Sequence, residues 1–256
     1  HFNSNYRNLT YKSKITSKIL NFIDFKIMSK GYSKIILLTK EDKDTFFPNN
    51  NKYTYIHNPV VLPKSNNNHI DSNYVIAVGR LSIQKDFISL IKAWNIVHKA
   101  SPNWKLKIVG EGPERNKLEE EIKKLNLGDS ILLTGYSNNV KKEMLESSIF
   151  VMTSIFEGFP LVLLEAMSYG LPIVTFDYQF GPKDIIKEGI NGFLIENRSI
   201  ESLSKKIILL IKNKQIRENM SYQALIQVKE FDLSNIISQW MNLFNSLVTK
   251  NDLTIH

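Results

Sequence analysis

The chain has 256 residues, of which 43% are hydrophobic and 23% charged, and it contains no cysteine. That length supports one large domain or one and a half ordinary ones, and the apolar share is enough for a buried core. Without cysteine there is no disulfide, thiolate metal site or cysteine nucleophile, and no run of eighteen apolar residues marks a membrane-spanning helix.

The formal charge of +8 is uneven. Residues 1–34 hold seven basic side chains against Asp24 alone, a net +6, and the remainder is near balance. Such a segment suits an anionic partner, such as a membrane surface, an acidic lipid or nucleic acid, although a solvated helix face has the same composition. The chain opens on His1 rather than Met with no signal-peptide pattern, which reads as a cut through a longer protein. In residues 14–28 the spacing of Ile15, Ile19 and Ile23 predicts an amphipathic helix, ended by Gly31. Ile35–Leu38 reads as a buried strand, Thr39 as the cap of a following helix, and Tyr53–Ile56 as another strand ending at His57-Asn58-Pro59. The polar stretch 64–73 has linker composition.

Beyond it strands and helices alternate. Strands are expected at Tyr74–Val78, Leu106–Val109, Ile131–Leu133, Phe150–Met152, Pro172–Phe176 and Phe193–Ile195. Helices are expected at Asp86–Ala100, Pro113–Leu125, Val140–Glu146, Pro160–Tyr169, Glu201–Ile211 and Gln215–Lys229, with a last one over Leu233–Leu247. Repeated units of this length predict an α/β fold with a doubly wound parallel sheet, whose ligands bind beyond the carboxyl ends of the strands.

The residues just past those strand ends carry the chemistry. Gly79-Arg80 follows the first strand and Lys85 comes five residues later, so one loop presents two cations able to hold a diphosphate. Two ordinary surface cations would give the same spacing. Gly110-Glu111-Gly112-Pro113 begins like a dinucleotide fingerprint, but Arg115 stands where the third glycine belongs. A tight strand–helix turn explains it equally well. Glu157 lies in the loop after a later strand and Glu165 on the next helix, with seven residues between them. Val162, Leu163, Leu164, Ala166 and Met167 make that helix read as buried, so Glu165 needs a partner. A ribose diol fits, as does a structural ion pair. The N–H groups of Phe159 and Leu161 open the helix as an anion site.

These motifs, together with Gly135, Gly170-Leu171-Pro172 and Gly189-Ile-Asn-Gly192, stand in the order seen in glycosyltransferase family four. Over roughly residues 71–230 the chain resembles the C-terminal, donor-binding domain of these retaining GT-B enzymes. The resemblance implies a Rossmann-like domain at 74–230. Residues 1–63 would be the last part of an incomplete N-terminal Rossmann-like domain, and 231–256 a helix crossing back to it through Trp240 and Phe244. It implies that Arg80 and Lys85 bind the donor diphosphate, that Glu157 meets donor-sugar hydroxyls, and that Glu165 holds the ribose. Backbone near Gly158, Phe159 and Leu161 would meet phosphate or sugar, the loop from Tyr136 to Val140 would read the base, and Gly79 and Gly110 would line the site. His1 resembles the end of an element carrying a catalytic histidine.

No cofactor or metal is implied. Asp42-Lys43-Asp44 looks like a metal-binding Asp-x-Asp, but a helix start explains it better, and the five histidines have no ligand spacing. The expected activity is retaining transfer of a sugar from a nucleotide diphosphate, UDP-sugar first, to a polysaccharide or lipid-linked glycan in surface-glycan assembly. The expected site of action is the cytoplasm, at the membrane face where the basic segment docks; nucleic acid is not an expected partner, since aromatics and cations do not interleave. A non-catalytic nucleotide- or glycan-binding module and a nucleotide-sugar epimerase are the other readings this architecture allows.

Overall fold

The computed structural model describes residues 31–63 and 71–252. His1, the helix expected at 14–28 and most of the basic segment lie outside the described residues. Two compact units form. One gathers the described residues up to Asn58 with those from Ile236 onward, and the other is Pro59–Asn235.

In the first unit, strands β1 (Ile35–Leu37) and β2 (Tyr53–Tyr55) pair in parallel, with Ile35 opposite Tyr53, and helix α1 (Lys40–Phe46) connects them. Thr39 caps α1. Its hydroxyl oxygen accepts from the Asp42 N–H at 2.9 Å, and the hydroxyl donates to the Asp42 carboxylate at 2.8 Å. That carboxylate thus closes a helix start. Among the described residues no group of three His, Cys, Asp or Glu is placed to hold a metal ion.

The second unit is a six-stranded, wholly parallel sheet in the order β5-β4-β3-β6-β7-β8. Its strands are β3 (Tyr74–Val78), β4 (Lys105–Val109), β5 (Ile131–Gly135), β6 (Ile149–Met152), β7 (Ile173–Phe176) and β8 (Gly192–Ile195). The expected doubly wound α/β fold is therefore what the chain adopts. Every residue of β6 and β7 is buried, as expected where helices cover both faces. On helix α2 (Phe87–Ala100) the buried positions Phe87, Leu90, Ile91, Trp94 and Val97 fall on one stripe. Helices α3 (Arg115–Lys124), α4 (Val140–Leu145), α5 (Leu161–Ser168) and α6 (Pro182–Ile185) follow, then α7 (Ile200–Lys212) and α8 (Lys214–Gln227); the last helix, α9 (Leu233–Asp252), belongs mostly to the first unit. None of the described helices is long and apolar enough to cross a membrane.

Two buried cations organise the edges of this unit. Lys107, in the middle of β4, reaches Glu143 at 3.1 Å and Glu146 at 3.3 Å and so pins α4 to the sheet. Burial alone would lower its pKa, but the pairing with Glu143 and Glu146 outweighs that and leaves it raised. Arg217, 5% exposed, donates through Nη1 to the carbonyls of Leu210 (2.7 Å) and Ile211 (2.9 Å), closing the last turn of α7. Arg217→Ala would strip both buried carbonyls of their donor. We expect a loss of about 3 kcal/mol in urea unfolding. A loss below about 0.5 kcal/mol would mean that water replaces the guanidinium without cost.

Candidate functional site

Strands β3 and β6 are neighbours, with Val75 opposite Ile149 and Ile76 opposite Phe150. The chain leaves β3 toward β4 and β5, then returns to β6 on the other side. At this reversal the connections run away in opposite directions and leave a crevice between the loops that follow the two strands. Those loops hold Arg80 and Lys85 on one side and Glu157 on the other. They are joined by three hydrogen bonds: Ile155 N–H to the Gln84 carbonyl (2.8 Å), Gln84 Nε2 to the Phe156 carbonyl (2.8 Å), and Thr153 Oγ1 to the Lys85 carbonyl (3.0 Å).

The two predicted charges meet there. Lys85 Nζ lies 2.6 Å from Glu157 Oε1, which also accepts from Ser154 Oγ at 2.8 Å. Their side chains are 18% and 15% exposed, so this is a partly desolvated, charge-assisted bond rather than a loose surface pair. Arg80 is exposed and has no partner among the described residues. The Lys85 stem runs across Gly79, where an added Cβ would come within 3.1 Å of Lys85 Cε.

Gly110 shows its reason in packing. Its φ is +147°, and a side chain there would run into the Gly79 carbonyl oxygen. Around it Gly79 N–H donates to Val109 (3.0 Å), Leu81 N–H to Glu111 (2.9 Å) and Gly110 N–H to Gly135 (2.9 Å). The loops after β3, β4 and β5 are thus tied edge to edge. Tyr136, at the far end of this row, is 78% exposed, and Val140 opens α4 behind the Asn139 cap.

Two expectations about α5 need correction. The Leu161 N–H is not free, because it donates to the Phe159 carbonyl at 2.9 Å. Pro160 causes this: its ψ of 81° lies outside the helix, which starts one residue later than expected, and the chain folds back over Phe159. Phe159 itself is buried, its ring 6.2 Å from that of Phe231, while Gly158 stands in open space. Glu165 is not buried either. Leu163, Leu164, Ala166 and Met167 take the covered side, and Leu161, Glu165 and Tyr169 fall four apart on the stripe left open. Enough protein surrounds the Glu165 carboxyl for burial to raise its pKa. Burial first, and then the Glu165 charge, raises that of Tyr169. His1 cannot be placed, since it lies outside the described residues.

Tyr178 was not singled out from sequence, because one tyrosine in a loop carries no spacing signal. It is buried just past β7, and its hydroxyl has no partner among the described residues. Burial, then the charge of Glu157, pushes its pKa well above the ordinary tyrosine value.

A family profile described as Glycosyl transferases group 1 matches residues 62–226. The chain belongs to that family. It is 34% identical over 83% of its length to an amylovoran biosynthesis glycosyltransferase of Erwinia amylovora. It is 30% identical over 88% to a poly(ribitol-phosphate) alpha-N-acetylglucosaminyltransferase of Staphylococcus aureus. A crystal structure of a Staphylococcus aureus TarM mutant with fondaparinux, alpha-GlcNAc-glycerol and UDP matches 90% of the chain at TM-score 0.80 and 27% identity. The chain spans 62% and 45% of those two relatives and 46% of that structure.

The two motif glycines are expected to differ. Gly110→Ala should cost about 3 kcal/mol in urea unfolding, since both φ and the Gly79 carbonyl oppose a Cβ. Gly158→Ala should stay within about 0.5 kcal/mol, and equal losses would contradict this account of the loops. Glu165 gives a pH signature. Its folded pKa lies above the ordinary 4.5, so the folded state binds that proton more tightly and stability falls as pH rises from 4.5 through the folded value. Glu165→Gln should therefore melt higher than the parent at neutral pH, and the two should converge below pH 4.5. Parallel melting curves across that range would remove the assigned shift.

Proposed function

We propose that this chain is the nucleotide-sugar-binding part of a retaining, metal-independent glycosyltransferase that uses a UDP-sugar to extend a polysaccharide or lipid-linked glycan of the cell surface. The observation that carries the reading is the Lys85–Glu157 pair at the β3/β6 reversal, with Arg80 exposed on the segment that leads from β3 to Lys85. A diphosphate carries more charge than one carboxylate and competes for Lys85, while the Arg80 fork takes a second pair of phosphate oxygens. As the bond from the anomeric carbon to the diphosphate breaks, negative charge grows on the leaving phosphate. The two cations stabilise it there, and this supplies what a metal ion would otherwise provide.

Glu157, released from Lys85 but still held by Ser154, then accepts from hydroxyls of the donor sugar. Glu165, open on α5, accepts from the ribose diol. The acceptor hydroxyl attacks from the face the nucleotide leaves and passes its proton to the departing phosphate oxygen, which retains configuration. The names of the relatives support this in two ways: one belongs to amylovoran biosynthesis, and one is an alpha-N-acetylglucosaminyltransferase. UDP was bound in the TarM mutant crystal. The basic segment 1–34 would hold the enzyme on the cytoplasmic face of an anionic membrane, at about 1 kcal/mol per nearby cation.

Calorimetric titration with UDP, GDP and ADP, with and without EDTA, tests the reading. UDP should bind, EDTA should not matter, and Lys85→Ala or Glu165→Ala should each weaken binding by about tenfold or more. A folded chain that binds none of the three nucleotides would overturn it.

A further inference from the structure

Arg198 bonds both to the loop after β6 and to the segment after β3. It follows β8. Its Nη1 donates to the Ser154 carbonyl at 2.8 Å, and its Nη2 donates to the Thr153 carbonyl at 2.9 Å and to Asp86 Oδ2 at 2.5 Å. Its guanidinium lies 4.4 Å from the centroid of the Phe176 ring at the end of β7. Thr153 and Ser154 lead into the turn that carries Glu157, and the Ser154 hydroxyl bonds to Glu157 itself. Asp86 directly follows Lys85, and its carboxylate also accepts from the Ser89 N–H and hydroxyl at the start of α2.

Backbone strain gathers at the same place. Five non-glycine residues among those described have positive φ: Asp86, Asn126, Phe180, Asn197 and Arg198. All but Asn126 lie on the loops after β3, β7 and β8. Such conformations cost energy and persist only where surrounding contacts hold them, which is common around functional sites. Arg198 and Asp86 are two of the strained residues, and they are bonded to each other.

We propose that Arg198 is a positioning residue for the donor site, holding the turn that bears Glu157 and the segment that bears Lys85 at the separation a donor diphosphate and sugar require. The inference rests on the donor-site reading above. It assigns Arg198 no contact with the donor, since its guanidinium is engaged by three protein oxygens. A lysine cannot replace it, because one ammonium lacks the planar fork that reaches Thr153, Ser154 and Asp86 together.

The test is UDP titration of the parent chain, Arg198→Lys and Arg198→Ala, each checked for folding by circular dichroism and melting. Both variants should stay folded and bind UDP at least about tenfold more weakly, because displaced loops lose affinity without losing the fold. Millimolar guanidinium chloride should restore part of the affinity of Arg198→Ala, and sodium chloride at the same ionic strength should not. Folded variants that bind UDP as the parent does would overturn the proposal. So would a loss that merely follows the fall in melting temperature and that guanidinium leaves unchanged. A parent chain that binds no nucleotide would instead overturn the donor-site reading, and this inference with it.

Discussion

The pairing of β3 with β6 is the contact on which the rest depends. It is short, with Val75 beside Ile149 and Ile76 beside Phe150, but it joins two stretches of chain separated by two whole strand–helix units. Because the winding reverses there, the loops after these strands are not covered by a crossing helix. A cation from one and an acid from the other can therefore meet in a partly dry crevice. Apolar burial holds the strands in register: Val75, Ile76 and Ala77 are fully covered, as is β6. The polar site is thus positioned by an apolar sheet, and the ion pair is a consequence of the fold rather than its cause.

Glycine at the mouth of the sheet does a different job from the one its motif suggests. Gly110 and Gly112 look like ligand-cradling residues. In the structure they let the β3 and β4 loops touch, with the Gly79 and Leu81 carbonyls occupying the space a side chain would need. The same holds for the Gly189-Ile-Asn-Gly192 turn. Its Asn191 is fully buried and donates to the Ile185 carbonyl at 3.0 Å and to Gln227 at 2.9 Å, behind α5 rather than in the crevice. Motif residues of this kind fix loop geometry, and the ligand-facing groups are the few charged side chains the loops then present.

The alternation of apolar strands and amphipathic helices made the sheet legible, since β6 is a continuous apolar run, β7 is apolar but for Thr175, and α2 has a clear stripe. Lys85 and Glu157 could be assigned to one ligand site from sequence because strand ends in a parallel sheet lie on one edge, but their direct pairing could not. What stayed hidden has a common cause. The engaged Leu161 amide depends on one ψ angle at Pro160, and the exposure of Glu165 depends on which way a mostly apolar helix is rotated. Arg198 is a single residue whose partners lie more than twenty positions away, and Tyr178 is a single loop tyrosine, so no local spacing announces either. Lys107, a cation in the middle of a strand, gives no hint of the two glutamates, Glu143 on α4 and Glu146 just past its end, that make its burial tolerable.

A crystal structure of this chain soaked with UDP tests the central claim most directly. The account predicts the diphosphate between Arg80 and Lys85 at the reversal point, with Lys85 drawn away from Glu157 and the ribose hydroxyls on Glu165. A nucleotide bound elsewhere, or bound with the Lys85–Glu157 pair intact and no phosphate beside Arg80, would contradict it.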